Sequence, residues 1–543
     1  MKKLLLLTGV SAISLAAFVA DGAEPTIIND AFIQKISSNG KYAVSLLTDS
    51  RLDIINLETG ERDSYRYTEE NEASYYNGIG KCISDNGILV GGTTSSNAEY
   101  WKNGEWHVLP LPDGAVYSNT ANAITPDGSR ICGMIGVGGI ALDGDNLMVA
   151  PCIWNAEADG FSMPVMLPYP KQDYAGRMPQ YVKAIDISGD GKTIVGMVTD
   201  ATGYTNYPIL YFEDNEGNWN YKIPHEDLLV PKGLEIPAYP GEYTGEYPMP
   251  TNYMTDEELE AYNEALTKYY NGEMEEEPDC LNYMSGENKE AYEKILVEYK
   301  AWDEKFQAWS EAMMEIQEYC PSYQNNSVSI SEDGLTYGCT ISEGGGFPWG
   351  GQSTNNVWVF DINSDNITKY DQQDNLCLTY LANGGIVVSS TPVSYFEPSN
   401  SFILKDGEVI DMYAWMNTKM PEYASWMKQN MEFEYEGYDP ETWDLVNLKE
   451  FMTGHATSNP DLSIMSLSVP NIGFPEDPEA WDDPDYESVI GYGFIFNLKA
   501  GNAVKIVNPA VEENTIYDLS GRKLKEASAP GIYIINGEKK VLR

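Results

Sequence analysis

Short runs of alternating apolar and polar residues recur along most of this chain, and glycine-containing turns separate them. The clearest copy covers residues 183–224. It alternates on both sides of Asp190-Gly191 and continues through two further apolar runs, at 209–212 and 219–223. A period of two indicates strands, and Asp-Gly suits a tight hairpin turn because glycine tolerates positive φ. This copy therefore predicts four short strands.

Seven such copies occur, the last two with weaker patterns. Their first hairpins, or for the fourth the whole copy, lie at residues 36–47, 83–92, 124–135, 183–224, 330–341, 381–390 and 459–468. A single four-stranded sheet cannot bury both faces alone, and radial stacking into a ring is the usual solution for units of this size. We therefore predict an all-β fold, a seven-bladed β-propeller from about Asn29 to Val507, within a domain bounded at 24–508.

Two copies carry the repeat motif most clearly: Ala123 to Gly133 followed by Trp154, and Ala184 to Gly196. They resemble the HAF-type extracellular repeat proteins, whose units pair an A-I-S-x-D-G-x-x-V-G hairpin with a following strand that ends in Trp. The resemblance implies an exported repeat protein. It supplies no catalytic residues, because the motif consists mainly of turn and core positions.

A helical insertion is predicted at 231–321. After a Pro-rich start, Thr255 and Glu258 form a capping box, and apolar residues at alternating spacings of three and four run from a second helix start near Glu287 to Cys320. We predict an antiparallel helical hairpin with an aromatic seam that packs on its partner helix or on the propeller. The alternative is an intermolecular contact through this seam.

A second helical insertion is predicted at 411–455, with a helix that begins at Asp439-Pro440. Strands alternate in direction, so the first and third loops of every copy share one face of the ring. Those loops are short, whereas the second loops and the connections between copies vary in length. We therefore expect one plain and one elaborated face, with function on the elaborated one.

The long second loops carry aromatic residues flanked by carboxylates and amides, which suit stacking on sugar rings or on a protein partner. The candidate ligand-binding residues are Phe347, Trp349, Tyr395, Phe396, Phe474, Trp481 and Tyr486. The alternative is that these rings fill small cores of their own loops.

Signals for catalysis and for metal binding are weak. The three His residues show neither HExxH spacing nor a neighbouring G-x-S-x-G, so no catalytic residue is assigned. Asp361, Asn363 and Asp365 alternate as in calcium loops, although Asn366 replaces the usual Gly. A plain hairpin turn is the favoured interpretation, with Ca²⁺ as the alternative and no other cofactor expected.

The two ends of the chain predict export. Lys2 and Lys3 precede an apolar run typical of a cleavable signal peptide, here bounded at 1–23. The tail at 509–543 resembles the C-terminal sorting tails of the type IX (Por) secretion system, through the segments Ile516-Tyr517-Asp518, Gly531-Ile532-Tyr533 and Lys539-Lys540-Val541. The resemblance implies release or attachment at the outer cell surface. The alternative is a small β-hairpin cap.

Charge limits the choice of partner. The formal net charge is −49, from 34 basic and 83 acidic side chains, so nucleic acid is a poor candidate and no interior run is apolar enough for a transmembrane segment. Seven Cys is an odd number for an exported chain, and Cys132 and Cys152 lie on consecutive predicted strands that would let them pair.

These observations favour a secreted or cell-surface propeller that binds an extracellular glycan or protein without catalysis. The first alternative is a glycan-degrading hydrolase or lyase on the same scaffold, because the sequence does not show which carboxylates face each other. The second is a surface assembly component that self-associates through the helical insertion.

Overall fold

The computed structural model describes residues 24–29, 31–47, 51–66, 82–92, 97–137, 147–174, 176–203, 205–343, 354–373, 375–391, 399–438, 445–472, 489–499, 516–517, 523–524, 531–535 and 538–542. Within these residues the fold is mostly β, with four α-helices. The chain divides into two compact units. Unit 1 is Met1–Pro170, Pro179–His225 and Ser322–Arg543, and unit 2 is Lys171–Met178 and Glu226–Pro321.

Unit 1 opens with a short strand, β1 (Thr26–Asn29), and continues with antiparallel sheets built from consecutive strands. Sheet 1 contains β2 (Ile33–Ile36), β3 (Tyr42–Leu47), β4 (Arg51–Asn56) and β5 (Arg62–Arg66). Sheet 2 contains β6 (Cys82–Ile83), β7 (Leu89–Gly92), β8 (Ala98–Lys102) and β9 (Glu105–Val108). Sheet 3 contains β10 (Val116–Ile124), β11 (Arg130–Gly136), β12 (Val149–Glu157), β13 (Gly160–Phe161) and β14 (Val165–Met166).

Sheet 4 contains β15 (Tyr181–Ile187), β16 (Thr193–Thr199), β17 (Asn206–Glu213) and β18 (Trp219–Lys222), and one parallel bridge between Val149 and Tyr181 joins it to sheet 3. Unit 2 supplies helices α1 (Asp256–Tyr270) and α2 (Gly286–Tyr319). Sheet 5 contains β19 (Ser322–Ile330), β20 (Thr336–Glu343), β21 (Thr354–Asp361) and β22 (Ile367–Tyr370).

Sheet 6 contains β23 (Cys377–Ala382), β24 (Ile386–Ser390), β25 (Ser401–Lys405) and β26 (Glu408–Asp411). Helices α3 (Met412–Lys419) and α4 (Pro421–Asn430) and the hairpin β27 (Glu432–Tyr438) and β28 (Leu445–Phe451) follow. Sheet 7 contains β29 (His455–Ser458), β30 (Ile464–Ile472) and β31 (Val489–Asn497), together with β1. The tail strands are β32 (Ile516–Tyr517), β33 (Lys523–Leu524), β34 (Gly531–Ile535) and β35 (Glu538–Leu542).

The turn between the first and second strands of each sheet follows directly from its sequence. In sheet 4 the Ser188 hydroxyl donates to Asp190 Oδ1 at 2.7 Å, and the same oxygen accepts from the Lys192 backbone N–H at 3.0 Å. The Ser188 Oγ in turn accepts from the Thr193 N–H at 3.0 Å, while Gly191 has φ of 71°. The Ser, Asp and Gly of this motif therefore serve the turn itself, as the sequence predicted.

These turns are also hydrogen-bonded from sheet to sheet. The contacts run from sheet 1 to sheet 7 and back to sheet 1: Asn39 N to Asp85 Oδ1 at 2.8 Å, Asp85 N to Pro126 O at 2.8 Å, Arg130 to Gly191 O at 2.9 Å, Gly189 N to Glu332 O at 2.8 Å, Asp333 N to Asn383 Oδ1 at 2.9 Å, Asn383 N to Pro460 O at 3.0 Å, and Asn459 Nδ2 to Ser38 O at 3.2 Å. Neighbouring sheets are thus linked by main-chain groups as well as by apolar packing.

Sheet 7 combines strands from both ends of the domain. Strand β1 pairs with the edge of β31, with Ile28 opposite Gly493. Ile28 is buried with Ile33, Ile55 and Ile495 in one apolar cluster. The strands therefore begin at Thr26, within the predicted domain and shortly before the predicted start of the propeller at about Asn29.

The aromatic seam of α2 is present, but its partner differs from the predicted helical hairpin. Trp309 packs against Val230, Leu234, Ile236 and Tyr239 of the Pro-rich segment. The indole N–H of Trp302, about two turns earlier in the seam, donates to the Gly241 carbonyl at 3.0 Å. The predicted capping box of Thr255 and Glu258 at the start of α1 is confirmed. An extended segment that precedes both helices therefore covers the seam, because its prolines and tyrosines present apolar surface without needing a helical period.

Trp309→Ala should destabilise unit 2 by about 3–5 kcal/mol, since a nearly buried indole would leave a cavity under the Pro-rich segment. The matched control is Val297→Ala on the same helix, where the side chain is 68% exposed. Limited proteolysis of the full chain measures the effect. Cleavage within 231–321 should accelerate only in the Trp309 variant, and equal rates in both variants would contradict the packing described here.

The second insertion contains helices, and its predicted helix start at Asp439-Pro440 lies outside the described residues. Helices α3 and α4 precede that position, and the residues from Leu445 form strand β28. Alternating positions pair β28 with β27, with Glu432 opposite Phe451. Methionines of the two helices join a buried cluster with sheets 6 and 7 that includes Met412, Met416, Met427, Met452 and Met465. The helices thus form where apolar residues follow a helical spacing next to these sheets.

The tail strands lie where the sequence predicted them, in the order β33-β32-β34-β35. None of the helices in the described part of the chain has the length and apolar character needed to cross a membrane.

Candidate functional site

The first strands of sheets 1 to 6 line one cavity of about 450 Å³, a volume that suits a small ligand. Sheets 1 to 6 contribute to the lining in chain order through β2, β6, β10, β15, β19 and β23. Sheets of four antiparallel strands that place successive first strands around a common cavity form one known architecture. The fold is a β-propeller.

Comparison with known proteins adds little to this assignment. No protein-family model matches the chain, and no curated protein sequence matches it. Among solved structures, the chain is similar to the Cps50 (Swd1) β-propeller domain of Myceliophteria thermophila, with a TM-score of 0.36 and 10% identity over 87% of this chain and 99% of that one. It is also similar to a putative TolB from Agrobacterium tumefaciens, with a TM-score of 0.31 and 10% identity over 67% and 88%. The propeller assignment rests on the sheets described above.

Equivalent positions of successive blades form one layer of the cavity wall. Each member lies two residues before the residue that opens the first turn of its sheet. That residue is a Ser or Thr in sheets 1 to 5 and Ala382 in sheet 6. The layer consists of Lys35, Cys82, Ala123, Asp186, Ser329 and Tyr380. Most first strands carry a register shift close to this layer, for example between Ala184 and Asp186. A bulge of this kind re-aims side chains, so an apolar strand can present a polar group to the cavity.

Asp186 ties two blades together. Its Oδ2 accepts from the Ser329 hydroxyl at 2.6 Å and from the Ile330 N–H at 3.0 Å, and Oδ1 accepts from the Ile187 N–H at 3.0 Å. Burial raises the pKa of this carboxyl, and these hydrogen bonds and Lys35 partly offset the effect. Because both oxygens are engaged, Asp186 is a structural link between blades 4 and 5.

Lys35 is the single basic residue among the described residues that line the cavity. Its Nζ donates to the Thr379 carbonyl in blade 6 at 3.4 Å, a long contact for a hydrogen bond. No carboxylate within the described residues forms an ion pair with it at 4.0 Å or less. The ammonium therefore keeps donor capacity for a ligand.

Cys82, which faces the same cavity, is a poor nucleophile. Burial raises the pKa of its thiol, Asp186 raises it further, and Lys35 only partly opposes them. The thiols of Cys132 and Cys152 are buried, and burial raises their pKa values as well. Neither Cys132 nor Cys152 forms a disulfide, so the pairing that the sequence left open is not formed.

Glu332 lies at the turn end of the cavity. Burial raises the pKa of its carboxyl, the Ser38 hydroxyl of blade 1 partly offsets this, and Asp85 and Asp461 raise it again. Its Oε2 is buried without a hydrogen-bond partner among the described residues. Gly189 makes room for this side chain, since an added Cβ there would collide with the Glu332 Cγ. Glu332 therefore carries an acceptor that the protein leaves unused.

His455, at the start of β29 in sheet 7, packs its ring against Phe32, which precedes β2 of sheet 1, at a centroid distance of 5.3 Å. Its Nε2 is buried and lacks a hydrogen-bond partner within the described part of the chain. Burial and, secondarily, the positive charge of Lys35 lower the pKa of the imidazole to about 4. His455 is therefore a neutral residue between sheets 7 and 1 at physiological pH.

None of the predicted site residues is among the described residues that line this cavity. The aromatic candidates Phe347, Trp349, Tyr395, Phe396, Phe474, Trp481 and Tyr486 all lie outside the described residues. Asp361, Asn363 and Asp365 lie in the turn between β21 and β22, where Asp361 Oδ1 accepts from the Asn363 N–H at 2.8 Å. Among the described residues, no group of three or more His, Cys, Asp or Glu side chains has the arrangement of a metal site.

Sequence reasoning missed the cavity residues because it assigned function to long loops. A signal was present two residues before the turn Ser or Thr, where Lys35 and Asp186 interrupt otherwise apolar strands. Such a polar residue in a first strand has no reason to be there unless it meets a polar interior.

Proposed function

We propose that this chain is an exported, seven-bladed β-propeller that binds an extracellular ligand, a glycan or a protein group, without catalysis. One observation supports this most directly: polar and charged groups from six first strands converge on a single cavity of about 450 Å³. The turn contacts that lead from sheet 7 back to sheet 1 and the pairing of β1 with β31 support closure of the ring. The signal-like segment at 1–23 and the tail at 509–543 support export to the cell surface.

We propose that the ligand enters the cavity from the face that carries the long second loops. The candidate aromatic residues belong to second loops, and the opposite end of the cavity holds Glu332 and the network of first turns. Phe347, Trp349 and their counterparts would then contact the outer part of a ligand whose inner part reaches Lys35. The calcium hypothesis for Asp361, Asn363 and Asp365 remains separate, since those residues belong to an outer turn.

Binding to the mature chain is measurable on a glycan array and by capture of extracellular proteins, with Ile185→Trp as the test variant. Ile185 is half-buried and lines the cavity, so the larger ring should fill it and weaken binding at least tenfold. The control is Trp219→Ala on the outermost strand of blade 4, which should bind normally. Equal binding by wild type and the Ile185 variant would place the ligand elsewhere, and a mature chain that binds neither class would overturn the proposal.

A glycan hydrolase or lyase is the second candidate, because Asp186 and Glu332 line one cavity and burial raises both pKa values, as general acids require. Three hydrogen bonds already engage both oxygens of Asp186, which argues against its direct participation. An assay for new reducing ends, run on the polysaccharides that the chain binds on the array, distinguishes an enzyme from a binding protein. Turnover that disappears in Glu332→Gln would establish the enzyme.

Self-association through unit 2 is the third candidate. The Pro-rich segment of the same chain contacts the aromatic seam of α2, which leaves less apolar surface for a second copy. Sedimentation of the full chain beside a variant lacking 231–321 measures this contribution.

A further inference from the structure

The central cavity holds two charged groups whose bonding capacity the protein leaves unused, and they have opposite sign. Lys35 Nζ makes one long contact, with a backbone carbonyl. Glu332 Oε2 is buried without a donor within the described residues. A buried carboxylate oxygen without a partner costs free energy, so a ligand that supplies a donor would recover it.

The two groups stand at different depths of the same cavity. Lys35 precedes its turn serine, Ser37, by two residues. Its ammonium reaches Thr379, which precedes the equivalent turn position of sheet 6 by three residues and so lies one residue further from the turn. Glu332 follows its own turn serine, Ser331, by one residue. Three to four residues of strand amount to roughly 10–13 Å. After a hydrogen-bond distance of about 3 Å at each end, roughly 4–7 Å of this offset along the strand direction remains for the ligand to span.

The wall beside Lys35 is polar as well. Gln34 lines the cavity next to Lys35, and its side-chain amide forms no hydrogen bond with the described residues. An amide can both donate to and accept from a peptide bond. By contrast, Asn122 donates to the Ala184 carbonyl at 2.7 Å, and Asp186 is engaged as described above. Gln34, which precedes Ser37 by three residues, is therefore the available neutral partner at the Lys35 end of the cavity.

We infer that the cavity binds a small zwitterion whose ammonium and carboxylate are separated by the length of a dipeptide, with the ammonium on Glu332 and the carboxylate on Lys35. The inference deepens the proposed function and rests on it, since it names the ligand class of the same cavity. An ω-amino acid of similar length shares the end groups but lacks the peptide bond that Gln34 would meet. Free glycine is too short to reach both ends.

Isothermal titration of the full mature chain with five probes tests the inference: glycylglycine, 6-aminohexanoate, glycine, hexylamine and hexanoate at constant ionic strength. Glycylglycine should bind at least tenfold more tightly than either singly charged probe, and glycine should bind no better than they do. A loss of this preference in Gln34→Leu, with 6-aminohexanoate unaffected, would identify the dipeptide as the favoured source. Equal affinity for zwitterion and singly charged probes would overturn the inference.

Two variants test which residue contacts each end of the ligand. Lys35→Met should remove the advantage of glycylglycine over hexylamine, and Glu332→Gln should remove its advantage over hexanoate. Lys41→Met is the control, because Lys41 lies in the first turn of blade 1, where it pairs with Glu58 at 3.7 Å. The wild-type probe series needs no variant, so it decides the question even where a variant does not fold.

The two proposals fail in different ways. If no zwitterion binds while a glycan or protein from the screen binds and Ile185→Trp abolishes that binding, the inference is wrong and the proposed function stands. If zwitterion binding persists in both Lys35→Met and Glu332→Gln, the assigned contacts are wrong.

Discussion

Ile28→Asp should lower the free energy of unfolding of unit 1 by about 4 kcal/mol or more, because it places a carboxylate in the apolar cluster that joins β1 to sheet 7. Ile28 is 7% exposed, whereas its neighbour Ile27 is 45% exposed on the other side of the same strand. The blade that β1 completes would then expose the edge of β31, and the contact between the first and last blades would weaken.

Ile27→Asp is the matched control and should change stability by about 0.5 kcal/mol or less, since it adds the same charge to the same strand at an exposed position. Chemical denaturation followed by tryptophan fluorescence measures both variants. A chain lacking residues 24–29 should behave like Ile28→Asp. Similar midpoints for the Ile27 and Ile28 variants would show that β1 does not hold the last blade.

Acidification should destabilise the protein through His455, by roughly 3 kcal/mol between pH 7 and pH 4. The folded-state pKa of about 4 lies below the ordinary value of 6.5. Between these two values the unfolded chain takes up a proton that the folded chain refuses, so stability falls as the pH falls through this window. The main physical cause is burial of the ring, which packs against Phe32 near the start of sheet 1.

The measurement compares wild type with His455→Asn across pH 4 to 7, because Asp186 and Glu332 have raised pKa values that act in the opposite direction in both proteins. The difference in stability between the two proteins should shrink or change sign on acidification. Thr457→Val, in the same strand and without a titrating group, should differ from wild type by a constant amount. A pH-independent difference for His455→Asn would contradict the buried neutral imidazole.

The turns and strands were predictable because their chemistry is local. Ser188, Asp190 and Gly191 lie within four residues and satisfy one another's hydrogen bonds, so the pattern alone predicts the hairpin. The capping box at Thr255 and Glu258 belongs to the same class, as do the positions of the tail strands along the chain. In each case, nearby residues supply both partners of the interaction.

Other features depend on residues far apart in the chain. The partner of the α2 seam is the Pro-rich segment around Tyr239, which has no helical period to reveal it. The cavity wall arises when Lys35, Asp186 and Glu332 meet from three different blades. Each of these segments has an ordinary sequence when considered alone. Only their arrangement around one cavity makes these residues candidates for ligand binding.

The repeating pattern by itself determined the hairpins, the four-stranded units and the insertion of helices between them, since each depends on turn chemistry and on apolar periodicity within a few tens of residues. The tertiary structure alone decided that β1 completes sheet 7, that an extended segment covers the helical seam, and that charges from separate blades share one cavity. The physical reason is that β pairing and side-chain burial act through space and carry no local mark of the partner.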